Sequence, residues 1–187
     1  ETTCPDANHP HMIDLGLPSG TKWACCNVGA STPEEYGNYY AWGETSPKSV
    51  YSWDTYQYGS SSSNVVDIGS DIAGTGYDAA TANWGTPWRM PTRTQCEELR
   101  DKCTSTWTSQ NGVNGRKFVS PNGGTIFLPA AGFVWDGELY DVGTMGYYWS
   151  STPVGESYAH GLEFSPYNAN WDSFFSRRYG QPVRPMR

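Results

Sequence analysis

Gly146–Arg187 reads GYYWSSTPVGESYAHGLEFSPYNANWDSFFSRRYGQPVRPMR. Its two ends look like framework: Tyr147-Tyr148-Trp149-Ser150-Ser151-Thr152 opens it as a strand, and Val183-Arg184-Pro185 closes it. Between them Tyr158, His160, Leu162 and Phe164 share one parity, and Ala159, Gly161 and Glu163 the other. A strand of period two therefore sends Leu162 and Phe164 inward. After Pro166 the alternation stops. Trp171, Phe174 and Phe175 cannot all face one core from a single strand, and the polar residues between them follow neither a strand nor a helix period. The composition is that of a binding loop. Tyr, Trp and Phe give large contact area at low entropy cost, while Ser, Asn and Gly adapt their hydrogen bonding. Core packing is an even reading for any one of these aromatics and a weaker one for the whole run.

The rest of the chain sets bounds on what this segment does. It has 187 residues, enough to bury a real core. Charged residues make up only 17%, aromatics 15%, and Gly (21) and Pro (13) are abundant, which points to a loop-rich, β-containing fold and away from disorder. A net charge of −7 with no run of Lys or Arg excludes a phosphate-backbone binder, so no nucleic-acid partner is expected. No apolar run reaches the roughly 18–20 residues needed to span a bilayer, so no direct membrane insertion is expected. No signal peptide is present, and Glu1 in place of Met implies a processed or trimmed N-terminus. Of the five cysteines, Cys96 and Cys103 share one helix about 10 Å apart, too far for a disulfide. A bridge from Cys25 or Cys26 to that helix and buried thiols are equal alternatives. Without a C-x-x-C pair, structural zinc is not expected.

Working outward, residues 1–11 form an extended lead-in, in which His9 and His11 carry no motif. Ile13, Leu15 and Leu17 alternate with Asp14 and Gly16, Pro18-Ser19-Gly20 turns, and Lys22–Cys26 returns, which predicts a hairpin. Ser31-Thr32-Pro33-Glu34-Glu35 predicts a short helix start that Gly37 stops, its acids favoured by the helix dipole. Thr45–Trp84 reads as a long surface insertion with a short strand at Val65–Ile68. Asp67, Asp71 and Asp78 there lack the spacing of a calcium loop. Thr92 with Gln95 three residues on is a capping box, and Cys96, Leu99 and Cys103 make one apolar stripe, so a helix is predicted over 93–103. Residues 104–108, 116–120 and 125–128 read as strands, with turns at Asn111-Gly112 and Asn114-Gly115 and a small-residue corner at Pro129–Gly132. Phe133–Tyr140 adds another strand or loop around Trp135 and Asp136-Gly137.

Catalytic signatures are missing. There is no Gly-x-Ser-x-Gly and no His-Glu-x-x-His, and a triad would have to use His160. The acids Glu138, Asp141, Glu156, Glu163 and Asp172 leave a glycoside-cleaving carboxylate pair as the enzymatic alternative.

A set of ordered motifs is similar to the Fibrobacter succinogenes major paralogous domain family, common in gut Bacteroidetes. They are Asp14–Ala24, Asn27-Val28-Gly29-Ala30, Tyr40–Thr45, Trp88-Arg89-Met90-Pro91-Thr92, Phe127–Gly132, Tyr148–Thr152 and Val183-Arg184-Pro185. The resemblance implies an α+β, C-type lectin-like fold over 12–187, with short antiparallel strands, one or two helices and long loops. Some members resemble variable proteins of diversity-generating retroelements, in which adenine mutation diversifies a C-terminal segment. Residues 158–181 match in part, because they contain no Lys or Met. Glu163, Trp171 and Gln181 do not arise from an AAC codon and depart from that pattern. The family pattern also makes Arg177 a scaffold residue, and the Glu-Pro-Asn of calcium-dependent sugar sites is absent, so metal-independent binding without a cofactor is expected. The leading expectation is a binding module, not an enzyme, displayed extracellularly on a cell surface or phage particle and facing a cell-surface protein or glycan. Its predicted contacts are Tyr158, His160, Glu163, Tyr167, Asn168, Asn170, Trp171, Asp172, Ser173, Phe174, Phe175, Arg178, Tyr179 and Gln181. A structural adhesion module is the third reading.

Overall fold

The computed structural model describes residues 11–170 and 172–187. His9, Cys4 and Trp171, considered above, lie outside them. In chain order the elements are β1 (Met12–Asp14), β2 (Lys22–Ala24), β3 (Gly59–Ser61), β4 (Asn64–Val65), α1 (Ala79–Trp84), α2 (Arg93–Lys102) and β5 (Thr104–Gln110). There follow β6 (Val113–Val119), β7 (Thr125–Pro129), β8 (Phe133–Trp135), β9 (Glu138–Tyr140), β10 (Gly146–Val154), β11 (Tyr158–Phe164), β12 (Ala169–Asn170) and β13 (Phe174–Ser176). The architecture is α+β: small antiparallel sheets with two helices among the described residues. β1–β2, β3–β4 and β8–β9 are hairpins, β5–β6–β7 is a three-stranded sheet, and β10 pairs with β11, whose other edge carries both β12 and β13.

β10 divides the interior. Successive residues of a strand point to opposite faces. Tyr148 joins Leu15, Trp23, Cys96, Leu99, Phe118, Leu162, Phe164 and Met186 in one core. Its neighbour Trp149 joins Val28, Tyr40, Trp42, Ile72, Met90, Ala159 and Val183 in the other. Leu162 and Phe164 are buried, as their parity predicts. Gly146 lies opposite Phe164 in the ladder, where a Cβ would overlap the phenyl ring. The indoles are satisfied by backbone: Trp149 Nε1 donates to the Tyr40 carbonyl at 2.7 Å and Trp42 Nε1 to the Ser150 carbonyl at 2.9 Å. Buried large side chains of this kind each contribute about 1.5–3 kcal/mol.

α2 follows its sequence signal. Gln95 N–H donates to Thr92 Oγ1, Thr92 N–H donates to Gln95 Oε1, and Cys96 and Leu99 face the first core. Cys96 and Cys103 are thiols, so no bridge joins this helix to Cys25 or Cys26. Burial pushes the Cys96 thiol well above its ordinary pKa.

The chain's last residues close the structure. Ala24 N–H donates to the Pro185 carbonyl, Lys22 and Arg187 exchange backbone bonds, and Met186 exchanges bonds with Arg89. Arg184, 1% exposed, donates to Asn27 Oδ1 at 2.8 Å and to the carbonyls of Ala24 and Phe127 at 3.2 and 2.8 Å.

Three expectations are corrected. Residues 31–37 form turns, not a helix. Glu35 folds back to accept the Ser31 N–H at 2.6 Å and Asn27 takes the Tyr36 carbonyl, so the segment satisfies its backbone without nucleating a helix. Asn114-Gly115 is strand, not turn; Gly115 lets β6 lie against β7, where a Cβ would overlap the Leu128 carbonyl. Thr45–Trp84 is exposed over much of its length but is more than a surface excursion: Tyr51, Tyr56, Ile68, Ile72, Ala79 and Ala80 are buried, and the segment contains α1, capped by buried Asp78.

Candidate functional site

β11 and β13 place the first rings. Ser176 pairs with Tyr158 and Phe174 with His160, which brings the Tyr158 and Phe174 rings edge-to-face at 5.6 Å. Both are exposed, by 41% and 54%. Phe175 takes the opposite parity. It packs on Tyr147 and Trp149 at 5.4 and 6.2 Å and covers Gly161.

Two adjacent arginines then part. Arg177 is drawn inward: its Nε donates to the Tyr158 carbonyl at 3.1 Å, another nitrogen donates to the Gly155 carbonyl at 3.0 Å, and its guanidinium lies over Trp42 at 4.4 Å. Arg178 takes the other side of the backbone. Its guanidinium lies 5.4 Å from the Trp53 ring, 5.8 Å from Trp135 and 5.5 Å from Tyr179. The last two rings are 6.0 Å apart, and Phe133, Tyr140 and Tyr147 extend the aromatic surface. A cleft of about 410 Å³ results, lined by Trp53, Ser62, Tyr158, Phe174, Phe175, Ser176, Arg178 and Tyr179.

Not all the predicted contacts gather here. His160 and Asp172 belong to a polar cluster at the start of α2. Arg93 contacts Glu97 at 2.8 Å, Asp172 at 2.6 Å and His160 Nε2 at 3.4 Å. Burial, and then the neighbouring Arg93 charge, hold the His160 imidazole below its ordinary pKa. Tyr167, 92% exposed, and Asn168 form a separate turn in which Ser165 N–H donates to the Asn168 carbonyl. Arg116 braces that turn through the Ser165 and Asn168 carbonyls at 3.0 and 3.4 Å. Glu163 accepts from the Ser173 hydroxyl at 2.7 Å, and Asn170 Oδ1 accepts from Asp172 N–H at 3.0 Å. Gln181 is a correction: it is fully buried, its backbone exchanges bonds with Tyr40, and it has no surface to offer a ligand. Trp171 lies outside the described residues.

The acids scatter too. Asp141 accepts from the Tyr147 hydroxyl at 2.8 Å, and Glu156 lines a different cleft with Asp67 and Arg177. Asp67 and Asp71 accept the N–H groups of Gly69 and Ala73, while Asp78 takes those of Ala80, Thr81, Gly74 and Met90. No helix among the described residues is long and apolar enough to cross a membrane.

The cleft also uses an aromatic residue outside the predicted segment, Trp53, from the stretch read as a surface insertion. Trp135 does not line it but backs Arg178 and Tyr179 from the β8–β9 hairpin, beside a turn where Asp136 and Gly137 both take positive φ (53° and 85°). The sequence signal was a lone Trp next to turn formers, which is hydrophobic area placed where a core residue is not needed.

Compared with known proteins, the chain matches no family model, no curated sequence and no solved structure.

Proposed function

We propose that this chain is a binding module with a C-type lectin-like arrangement, displayed on a bacterial surface or phage particle. It holds a cell-surface protein or glycan in the aromatic cleft. The observation that carries this reading is the convergence of Trp53, Tyr158, Phe174 and Tyr179 around one Arg at a single concavity. Rigid aromatic rings around a few polar groups are what a ligand site needs. The frame behind them is tied down by Arg177 and the β11–β13 ladder, so little is left to order on binding. A hydrolase would need two carboxyls flanking the bond to be cleaved, and no carboxylate lines this cleft among the described residues. That favours binding over turnover.

Residues 158–181 are the proposed diversified segment, with Gln181 belonging to the framework because it is buried. Two experiments test the reading. A glycan and cell-surface screen is run with the wild type and with Tyr158→Ser/Phe174→Ser/Tyr179→Ser; undiminished binding by the triple variant removes the cleft assignment. The coding DNA is read for a near-identical template repeat beside a reverse-transcriptase gene, and their absence ends the diversification proposal.

A further inference from the structure

We infer that the cleft takes an anionic saccharide, a sugar ring lying against Trp53, Tyr158 and Tyr179 with its carboxylate or sulfate on Arg178. This rests on the cleft being the ligand site.

Among the described residues, Arg178 is the arginine with a buried nitrogen left unspent; Arg89 and Arg187 form no ion pair there either, but both are exposed. Arg93 and Arg100 form ion pairs. Arg116, Arg177 and Arg184 spend their donors on carbonyl, amide or hydroxyl oxygens. Arg178 does neither among the described residues: three ring faces hold it, and its Nε is buried without a hydrogen-bond partner. Ring faces attract a cation but accept none of its N–H bonds in the way an oxyanion does. The chain carries 19 acids against 12 bases, yet no acid among the described residues lines this cleft. A guanidinium left in that state is a fork shaped for a planar carboxylate or a sulfate.

The rest of the lining selects a sugar over an acidic peptide. Ser62, Tyr158 and Tyr179 line the same cleft, and their hydroxyls make no hydrogen bond within the described residues. A hydroxyl both donates and accepts, which matches the hydroxyls of a sugar ring. The indole and phenol faces match its C–H faces, and about 410 Å³ accommodates a short saccharide.

The test is calorimetric titration at moderate salt with two matched pairs. One pair is a galacturonate oligosaccharide and its methyl ester; the other is a sulfated galactan oligosaccharide and its desulfated form. Wild type, Arg178→Gln, Arg178→Lys and Trp53→Ala are compared, with melting curves for each. A charged member should bind about tenfold or more tighter than its uncharged partner. Which pair shows the preference separates carboxylate from sulfate. Arg178→Gln should bring the two members within about twofold of each other without moving the melting curve, and Trp53→Ala should weaken both. Equal binding of charged and uncharged members, a preference that survives Arg178→Gln, or no binding of any of the four overturns the proposal. So does polyglutamate binding through Arg178 in place of the sugars. If the charge makes no difference but the triple cleft variant still loses cell-surface binding, the anion is wrong and the cleft stands. If the triple variant loses nothing, the cleft reading itself falls.

Discussion

Arg184 and Arg178 sit one short turn of chain apart and are used in opposite ways. Arg184 is sealed in the interior and spends its guanidinium on Asn27 and two carbonyls, tying together β2, the middle of β7 and the closing segment. Arg178 is set among rings at the surface with donors unspent. The difference teaches how to separate frame from site within one segment: the frame residue is saturated by its own chain, and the site residue is not.

The contrast can be broken most forcefully at Arg184. Arg184→Met leaves three buried acceptors without their donor, so the loss should be about 3–5 kcal/mol. That is a fall on the order of 10 °C in Tm, read by urea and thermal unfolding. Arg178→Gln in the same assay should stay within about 0.5 kcal/mol. Equal costs would erase the distinction.

Gly132→Ala comes next. Gly132 has φ 60°, and a Cβ there would overlap the Tyr140 carbonyl of the adjoining hairpin. The expected cost is about 3 kcal/mol. Because that hairpin carries Trp135, which backs Arg178 and Tyr179, ligand binding should fall with it. A stable variant with unchanged binding would show that the hairpin does not position those two residues.

Thr92→Ala removes the N-cap of α2 and should cost about 1 kcal/mol by denaturant titration. It should leave the aromatic cleft's binding alone, since no α2 residue lines the cleft and the helix meets the segment through its core face and through Arg93, beside His160 and Asp172.

The smallest effect is one of pH. His160, beside Arg93, Asp172 and Glu97, has a folded pKa depressed below 6.5. The unfolded chain therefore takes up the proton first, and stability falls as pH drops from about 6.5 to the folded value, then levels. Unfolding measured from pH 7.5 down to pH 5 should show that loss, and His160→Gln should flatten it. A rise in stability on acidification, lost in the variant, would reverse the assignment.

What the sequence showed of all this depended on how local the cause was. The capping box of α2, the inward parity of Leu162 and Phe164, and the hairpin at Asp14–Lys22 are set by neighbours in the chain and were readable. Thr45–Trp84 was misread because its buried residues follow no period and include tyrosines, which look polar. Their hydroxyls are satisfied far away, Tyr51 on the Tyr39 carbonyl and Tyr56 on the Trp42 carbonyl. Gln181 was misread for the same reason, since its burial follows from pairing with Tyr40. The candidate cleft was half legible. Tyr158, Phe174, Arg178 and Tyr179, singled out by composition, do line one concavity, whereas Trp53 joins them there only through folding.

The backbone bonds that close the structure also set its response to tension. β2 lies between β1 and the segment 185–187, antiparallel to both. Met12 is paired at the Ala24 end of β2, and Arg187 at the Lys22 end. A pull between residue 12 and residue 187 therefore slides three strands lengthwise past each other. The bonds resist side by side and do not open singly like a zipper. The strain of such a pull runs along this seam before it reaches β11 and β13, so the cleft keeps its shape until the seam itself gives way.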